Sequence, residues 1–195
     1  METQGPEYLE HLKNKYHLGR SLYLTTLVYP RYLKEISPGD VWDFGCGLGE
    51  FLSYCKKRSR PAYGLDSNPY FVQACRARGL TVWLDDITDP QTLKGKIKNI
   101  ICDNVLEHLS TAEINSFLRN AKTRMLPGGV LLVIVPGWKG YLRDPTHKTF
   151  ITQEVMKSLC EETNLAIEKV FYHPFQARAV GKYFYLNMSV FKMIV

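Results

Sequence analysis

A glycine-rich stretch, DFGCGLG at residues 43–49, is the part of the sequence whose residue types and spacing point most clearly to chemistry. Gly45, Gly47 and Gly49 alternate with other residues, follow a short apolar run and precede a helical pattern. Glycine lets ligand atoms approach the main chain, and in open α/β sheets ligands bind beyond the carboxyl ends of the strands. The spacing GxGxG therefore predicts a site for a nucleotide-like ligand in the turn after a first strand.

An acid two residues before the first glycine distinguishes this turn from the corresponding turn of dinucleotide-binding proteins. Those proteins carry GxGxxG and direct a helix N-terminus at a pyrophosphate, whereas here Asp43 precedes GxGxG. A carboxylate in this place would repel a pyrophosphate but would suit an ammonium group. The turn therefore favours a ligand with a positively charged amino group over a nicotinamide dinucleotide.

A second group of reactive residue types lies in GYLRDPTHKTFIT, residues 140–152, after a fully apolar strand. His147 lies close to Asp144, and an imidazole with a nearby acid is a usual general-base pair. A structural alternative is that His147 bonds the loop backbone and stabilises the turn after Pro145. Arg143 and Lys148 could hold an anionic substrate group such as a phosphate.

The elements that must position these residues follow from the hydrophobic pattern. It predicts strands at 41–44, 62–65, 81–84, 100–102 and 130–135, with helices at 50–58, 69–78 and 110–125 between them. Strands that are apolar on both faces and separated by helices indicate a parallel sheet covered on both sides. A further helix at 152–163 is followed by strand-like stretches at 166–172 and 183–193, which predict an antiparallel ending.

Composition bounds the organisation of the chain. Its 195 residues, 45% hydrophobic and 23% charged, suffice for one core, predicted over residues 38–195. Residues 1–37 carry an amphipathic helical pattern and could form a cap or lid over the ligand-binding edge. No stretch approaches the roughly 18 consecutive apolar residues of a membrane span, and the N-terminus is too polar for a secretory signal, so a cytoplasmic protein is expected.

Charge and cysteine content limit the kinds of partner, disulfide and metal site that the chain is expected to have. The net charge of +6 favours anionic partners, although the basic residues cluster where solvated helix ends are expected. Five cysteines are scattered singly, without a CxxC pair, so the sequence predicts neither a disulfide framework nor a zinc site, and no metal site is expected.

Five ordered motifs resemble the class I S-adenosylmethionine-dependent methyltransferases, in particular the type 11 and type 23 members that act on small molecules, glycans or lipids. They are VWDFGCGLGEF, YGLDSNPY, LDDITD, IICDNVLEHL and LPGGVLLVIVP, between residues 41 and 136. The resemblance implies a Rossmann-like, doubly wound α/β fold with a mostly parallel seven-stranded sheet, an antiparallel C-terminal strand and helices on both faces. It also implies S-adenosylmethionine as cofactor and S-adenosylhomocysteine as product.

The same resemblance assigns cofactor contacts residue by residue. Asp66, with Ser67 beside it, would accept hydrogen bonds from both ribose hydroxyls, because a carboxylate has two acceptor oxygens. Asp86 would take the adenine amine, with Asp85 as a competing candidate, and Ile87 would pack on the ring. The methionine part of the cofactor is assigned to Asp43, Gly45, Cys46, Gly47 and Asn104, with Arg20 as partner for its carboxylate.

The resemblance specifies the residues that would bind the methyl acceptor less closely than those that would bind the cofactor. Glu107 and His108 resemble an LEH segment of small-molecule members, where they are either catalytic or hydrogen-bonding support. His108, Tyr16, Arg143 and Lys148 are the candidate acceptor-binding residues, and His147 with Asp144 is the candidate general-base pair. DPTHKTF resembles a motif of methyltransferases that modify glycans, lipids and quinone-like molecules.

The sequence thus predicts an enzyme that methylates a small molecule, saccharide or lipid, with oxygen as the favoured atom. Alternatives are a cofactor-binding partner subunit without activity and a protein or nucleic-acid methyltransferase. Nucleic acid is disfavoured, because Asn68-Pro69-Tyr70 is a helix start and does not follow the fourth strand. The oligomeric state is left open.

Overall fold

Seven strands form one sheet within residues 18–195, the part of the chain that the computed structural model describes, with side chains described from Arg20 onward. The spatial order is β3-β2-β1-β4-β5-β7-β6. β1 to β5 pair in parallel, and β7 runs antiparallel between β5 and β6. The predicted mostly parallel, doubly wound sheet with an antiparallel C-terminal strand is confirmed. The strands are Val41–Phe44 (β1), Ala62–Asp66 (β2), Val82–Leu84 (β3), Ile97–Asp103 (β4), Met125–Pro136 (β5), Ala166–His173 (β6) and Met188–Ile194 (β7).

Helices cover both faces of this sheet. One face carries Tyr29, Phe51 and Tyr54, and the other carries Phe117 and Leu159. Strands buried from both sides must be apolar throughout, which explains the unbroken apolar run of β5. The helices are Leu18–Tyr23 (α1), Tyr29–Glu35 (α2), Glu50–Lys56 (α3), Pro69–Ala77 (α4), Thr111–Arg124 (α5), Trp138–Tyr141 (α6) and Gln153–Thr163 (α7), with a π-helical turn at Leu24–Val28 and 3-10 turns at Leu106–His108 and Arg178–Lys182.

Capping residues start the helices that follow the binding edge. The Asn68 side chain accepts hydrogen bonds from the amides of Tyr70 and Phe71, with Pro69 in the first turn of α4. Ser110 begins α5 with a capping box completed by Glu113. These local signals direct the chain away from the carboxyl ends of β2 and β4, which leaves that edge open.

The last strand begins later than predicted. β7 starts at Met188, not at residue 183, because residues 183–187 form turns and irregular structure that continue from the 3-10 turn at Arg178–Lys182. The Asn187 side chain stabilises the connection by accepting from the amide of Phe175 and donating to the carbonyl of Ala177. Among residues 18–195 no helix has both the length and the apolarity required to cross a membrane.

Candidate active site

A cavity of about 1020 Å³ opens at the carboxyl ends of the parallel strands. The sheet order reverses between β1 and β4, and such a switch point is where open α/β sheets bind ligands. With the exception of Asp85, the candidate residues predicted from the sequence that lie within the described chain line this cavity. Tyr16 lies outside the described residues. The lining set includes Arg20, Asp43, Gly45, Cys46, Gly47, Asp66, Ser67, Asp86, Ile87, Asn104, His108, Arg143, Asp144, His147 and Lys148.

The glycine-rich turn brings the chain back against β2. The amides of Gly45 and Cys46 both donate to the carbonyl of Leu65, at 2.8 and 3.0 Å. Gly45 has a φ of +75°, and a Cβ at this position would collide with the side chain of Val105. Gly47 has a φ of +51°, and a Cβ there would meet none of the described residues' atoms within 4 Å. The backbone is therefore open to a ligand at Gly47 and closely packed at Gly45.

Asp66 ends β2 with its carboxylate inside the cavity. Its Oδ2 accepts from the amide of Gly47 at 2.7 Å, and its Oδ1 accepts from the amide of Asn68 at 2.8 Å. Burial raises the pKa of Asp66 to about 6, partly opposed by these two backbone hydrogen bonds. Each oxygen retains a second lone pair, so the carboxylate can also accept from a diol. Ser67, next along the chain, is exposed at the cavity edge.

The two acids after β3 have different surroundings. The Oδ2 of Asp85 accepts from the amide and hydroxyl of Thr92, and Asp85 is absent from the described cavity lining. Asp86 lines the cavity and accepts through Oδ1 from the amide and hydroxyl of Thr88. Ile87 is buried and lines the same region. The geometry therefore favours Asp86 over Asp85 as a ligand-contacting acid.

Two acids, the buried Asp43 and the half-buried Asp103, line the cavity. Burial raises the pKa of Asp43 well above its usual range, with a further contribution from Asp103. Burial likewise raises the pKa of Asp103 to about 6, although Arg20 and the Asn104 side chain act in the opposite direction. Asn104 has a φ of +56° and donates from Nδ2 to Asp103 Oδ1 at 2.7 Å. Two acids lining one cavity can accommodate a cationic amino group.

The described part of the N-terminal segment contributes to the cavity wall. Arg20 forms a 2.8 Å ion pair with Glu50, the first residue of α3. Tyr23 stacks on His173, with ring centroids 5.9 Å apart and planes within 8° of parallel. Burial, together with the charge of Asp103, raises the pKa of Tyr23 to about 12, so its hydroxyl stays protonated. Side chains from this segment therefore lie over the same edge as the glycine-rich turn.

His147 lies at another part of the cavity, and its acidic neighbour is Glu107. Its Nδ1 lies 2.7 Å from the carbonyl oxygen of Tyr141, so Nδ1 donates and the neutral ring carries its lone pair on Nε2. That Nε2 lies 3.9 Å from Oε1 of Glu107. Asp144, the acidic partner expected for His147 from the sequence, contacts it through the backbone, where the Asp144 carbonyl accepts from the His147 amide at 3.2 Å.

Asp144 instead supports His108 through a threonine. The hydroxyl of Thr146 donates to Asp144 Oδ1 at 2.6 Å, and His108 Nδ1 lies 2.9 Å from the same hydroxyl. Because the hydroxyl proton is used towards Asp144, His108 Nδ1 must donate and its Nε2 carries the lone pair. The rings of His108 and His147 are 4.7 Å apart, edge to face.

Two exposed basic residues line the part of the cavity that also contains His108 and His147. Arg143 lies over the ring of Tyr185, with the guanidinium carbon 4.2 Å from the ring centroid. Arg143 and Lys148 both line the cavity. Two cations that line one cavity, one of them held over an aromatic ring, are suited to an anionic ligand group.

Two contributors were not predicted from the sequence: Asp103 and the contact of Glu107 with His147. Asp103 is the last residue of β4, and an acid ending a strand is the same signal that identified Asp66. The contact of Glu107 with His147 joins residues 40 positions apart, so no local spacing could indicate it.

Comparison with known families gives a match over most of the chain. Residues 8–170 match the model of a family described as "Methyltransferase domain". No curated protein sequence matches the chain at a significant level.

Solved structures give the same fold. An S-adenosylmethionine-dependent methyltransferase from Archaeoglobus fulgidus is similar with a TM-score of 0.77 and 17% identity, over 98% of this chain and 100% of that one. Magnesium protoporphyrin IX methyltransferase from Synechocystis, with bound S-adenosylmethionine, gives 0.63 and 15%, over 91% and 80% of the two chains. A glycopeptide N-methyltransferase in complex with S-adenosylmethionine gives 0.69 and 10%, over 86% and 85%.

Proposed function

The chain belongs to the methyltransferase-domain family and is an S-adenosylmethionine-dependent methyltransferase, and we propose that it methylates a small-molecule, saccharide or lipid acceptor at oxygen. One observation carries this proposal. A single cavity holds both the residues that fit the cofactor and a separate group of histidines and cations that fits a polar acceptor.

The residues present fit the cofactor by their own chemistry. The Asp66 carboxylate, buried and directed into the cavity, has lone pairs for the two ribose hydroxyls. The open backbone at Gly47 allows close approach of the ligand, because no side chain from residues 20–195 occupies that space. Asp43 and Asp103 offer negative charge to the amino group of the methionine part, with Asn104 beside them. Asp86 and Ile87 fit the adenine amine and ring.

Further cofactor contacts come from the glycine turn and the N-terminal segment. Cys46 and Ser67 would contact the cofactor at the cavity edge, and Arg20 would bind its carboxylate while remaining near Glu50. Residues 1–37 would form a cap over the cavity, and residues 38–195 the methyltransferase domain. In support of the cap, Arg20 and Tyr23 already line the cavity from that segment.

The chain's own residues must orient the acceptor, exclude water and remove a proton. When bound, the cofactor supplies an electrophilic methyl group on a sulfonium sulfur, which is transferred by in-line displacement. His147 is the candidate general base, because it lines the cavity and its Nδ1 is held by the Tyr141 carbonyl, which leaves the lone pair on Nε2. Asp144 would support the acceptor side through Thr146 and His108.

The charge of the acceptor end indicates the kind of molecule. Arg143 and Lys148 would bind an anionic group such as a phosphate or carboxylate, and His108 would contact the polar part of the acceptor. Tyr185 would form an aromatic wall. The similar structures include methyltransferases of a porphyrin and of a glycopeptide, which supports a small-molecule or saccharide-bearing acceptor over nucleic acid.

Calorimetric titration with S-adenosylmethionine, S-adenosylhomocysteine and NAD tests the site first. We expect both adenosyl ligands to bind, NAD not to bind, and the Asp66→Ala variant to lose binding. A panel of anionic hydroxyl-bearing saccharides, lipids and aromatic acids then identifies the acceptor through S-adenosylhomocysteine formation. Methylation confined to nitrogen, or to protein or nucleic acid, would contradict the proposed acceptor class.

A further inference from the structure

Three metal-ligating side chains converge at the acceptor end of the cavity. Glu107, His108 and His147 each offer one ligand atom, and these atoms all lie within 4.8 Å of one another. Glu107 and His108 belong to the 3-10 turn after β4, and His147 belongs to the loop after β5. Two imidazoles and one carboxylate form a ligand set that first-row divalent ions use widely in proteins.

The Glu107 carboxylate is buried, with its side chain 1% exposed. Among the described residues neither Oε1 nor Oε2 has a hydrogen-bond partner. A buried carboxylate is costly unless it is paired, hydrogen-bonded or bound to a metal. A cation at this position would remove the cost by charge pairing.

Both histidine rings are oriented by a neighbouring group. In His147 the Nδ1 donates to the Tyr141 carbonyl, which leaves the lone pair on Nε2, 3.9 Å from Oε1 of Glu107. In His108 the Nδ1 lies 2.9 Å from the Thr146 hydroxyl, and the ring offers one nitrogen to the cluster. Metal-bound histidines characteristically donate their other ring N–H to a carbonyl or carboxylate, which sets the tautomer and the ring orientation.

Backbone hydrogen bonds hold the two loops of this cluster together. The carbonyl of Glu107 accepts from the amides of Lys148 and Thr149, at 2.7 and 3.1 Å. The Thr149 hydroxyl donates to the Leu109 carbonyl at 2.6 Å. The approach of His147 to Glu107 is therefore built into the fold and does not depend on exposed side chains.

We propose that Glu107, His108 and His147 form a binding site for a divalent first-row transition metal ion such as Zn²⁺, Co²⁺ or Mn²⁺. Zinc binds imidazole nitrogen and carboxylate oxygen at about 2.0–2.2 Å, which places ligand atoms of one ion about 3–4 Å apart. The three ligand atoms lie within 4.8 Å of one another, and small side-chain rotations would bring them to these separations. Mg²⁺ is disfavoured, because it prefers oxygen ligands and water.

Three protein ligands leave coordination positions of the ion open, and a molecule bound in the cavity would fill them. If the methyl transfer proposed above is correct, this ligand is the acceptor oxygen. An acceptor hydroxyl on the ion loses its proton to solvent more readily. The oxygen then forms its bond to the methyl carbon as the carbon–sulfur bond breaks, and the bonding electrons leave on sulfur. The Nε2 lone pair of His147 is then used by the ion, so His147 is a ligand and the ion replaces it as the activating group.

Cobalt titration tests the site without any need for turnover. Full-length protein without a purification tag, stripped with EDTA and freed of chelator, is titrated with Co²⁺ and followed by its visible absorption. We expect saturation at one equivalent, bleaching by Zn²⁺, and an affinity that falls at least about tenfold in Glu107→Gln and in His147→Asn. His173→Asn, a histidine of the same cavity outside the cluster, should bind as the wild type does.

A positioning variant gives a second readout. Thr146→Val keeps the side-chain volume but removes the hydroxyl that orients His108, and we expect Co²⁺ affinity to fall about 10- to 100-fold. Absence of stoichiometric Co²⁺ and Zn²⁺ binding by the wild type overturns the proposal, as does unchanged binding by a Glu107→Gln/His147→Asn double variant with intact circular dichroism.

Binding of S-adenosylhomocysteine in the presence of EDTA separates this proposal from the proposed function. Cofactor binding without metal binding removes the metal site and leaves the methyltransferase intact. Metal binding without methylation of any hydroxyl acceptor retains the site and removes its assigned role at oxygen.

Discussion

The backbone amide of Gly47 donates a 2.7 Å hydrogen bond to Oδ2 of Asp66. This contact joins the glycine-rich turn after β1 to the last residue of β2 and holds the buried carboxylate in the cavity. It also links cofactor recognition to folding, because the same carboxylate that offers lone pairs to a ligand is costly to bury in the free protein.

Asp66→Asn should separate these two effects. The amide keeps the shape of the side chain but cannot accept hydrogen bonds at both of its polar atoms. Loss of one or two charge-assisted hydrogen bonds should weaken S-adenosylhomocysteine binding by about 1.5–3 kcal/mol each, measured by calorimetry. Asp89→Asn, an exposed acid outside the cavity lining, is the matched control, and equal losses in the two variants would contradict the assigned role of Asp66.

The pKa of Asp66 predicts how stability depends on pH. The folded-state pKa of about 6 lies above the usual value of 3.8, so the folded protein binds more protons than the unfolded chain between these values. The contribution of Asp66 to the free energy of unfolding is therefore fully present below the unfolded pKa and is lost as the pH rises through about 6. Urea unfolding at pH 4.5 to 7.5 should show a smaller decline in Asp66→Asn than in the wild type.

Cofactor affinity should have the opposite pH dependence. The ionised Asp66 accepts hydrogen bonds at both oxygens, whereas protonation places a hydrogen on one of them. Affinity for S-adenosylhomocysteine should fall as the pH drops through about 6 in the wild type. The affinity for S-adenosylhomocysteine should depend less steeply on pH in Asp66→Asn. An identical pH profile in the two proteins would show that another group controls binding.

Gly45→Ala should destabilise the fold. Its Cβ would collide with Val105, and its φ of +75° is unfavourable for alanine by about 1–2 kcal/mol before any collision. Gly128→Ala is the control, since Gly128 has a φ of +67° and a Cβ there would meet no protein atom closer than 3.6 Å. Thermal unfolding should show a larger loss for Gly45→Ala, and Val105→Ala should recover part of it.

His147→Ala should leave the affinity for S-adenosylhomocysteine nearly unchanged while turnover is lost. His147 lies beside Glu107, away from the turn that binds Asp66, so its removal leaves the cofactor contacts intact. Calorimetry and S-adenosylhomocysteine production measure the two effects separately. Turnover at the wild-type rate would show that His147 neither removes a proton nor binds an ion that does.

Arg143→Ala should raise the KM for an anionic acceptor more than it lowers kcat. The guanidinium lies over Tyr185 at the cavity edge and would bind the charged group of the acceptor before and during transfer. Lys139→Ala, a nearby cation outside the cavity lining, is the control. The effect of Arg143→Ala should vanish with an uncharged acceptor, and equal effects on both acceptors would argue against a charge contact.

The sheet and the cofactor end of the cavity were predictable because their signals are local. Apolar runs with intervening helical patterns predicted the parallel strands, and GxGxG with Asp43 predicted the binding turn. Asp66 and Asp86 follow strands directly, so their positions relative to the sheet edge follow from strand ends alone. Asp103 likewise stands at the end of a strand, β4, and its position follows in the same way. The late start of β7 could not be foreseen, because the Asn187 contacts with Phe175 and Ala177 join positions 12 and 10 residues apart.

The sequence by itself determined which family the chain belongs to, where its strands lie and which edge of the sheet binds the ligand, because these depend on residues close together in the chain. Only the tertiary structure decided the acceptor end. It brought Glu107 next to His147 through backbone hydrogen bonds between the loops after β4 and β5, and it assigned Asp144 to Thr146 and His108. Contacts between side chains on different loops depend on how the strands are ordered in the sheet, and spacing along the chain carries no record of that order.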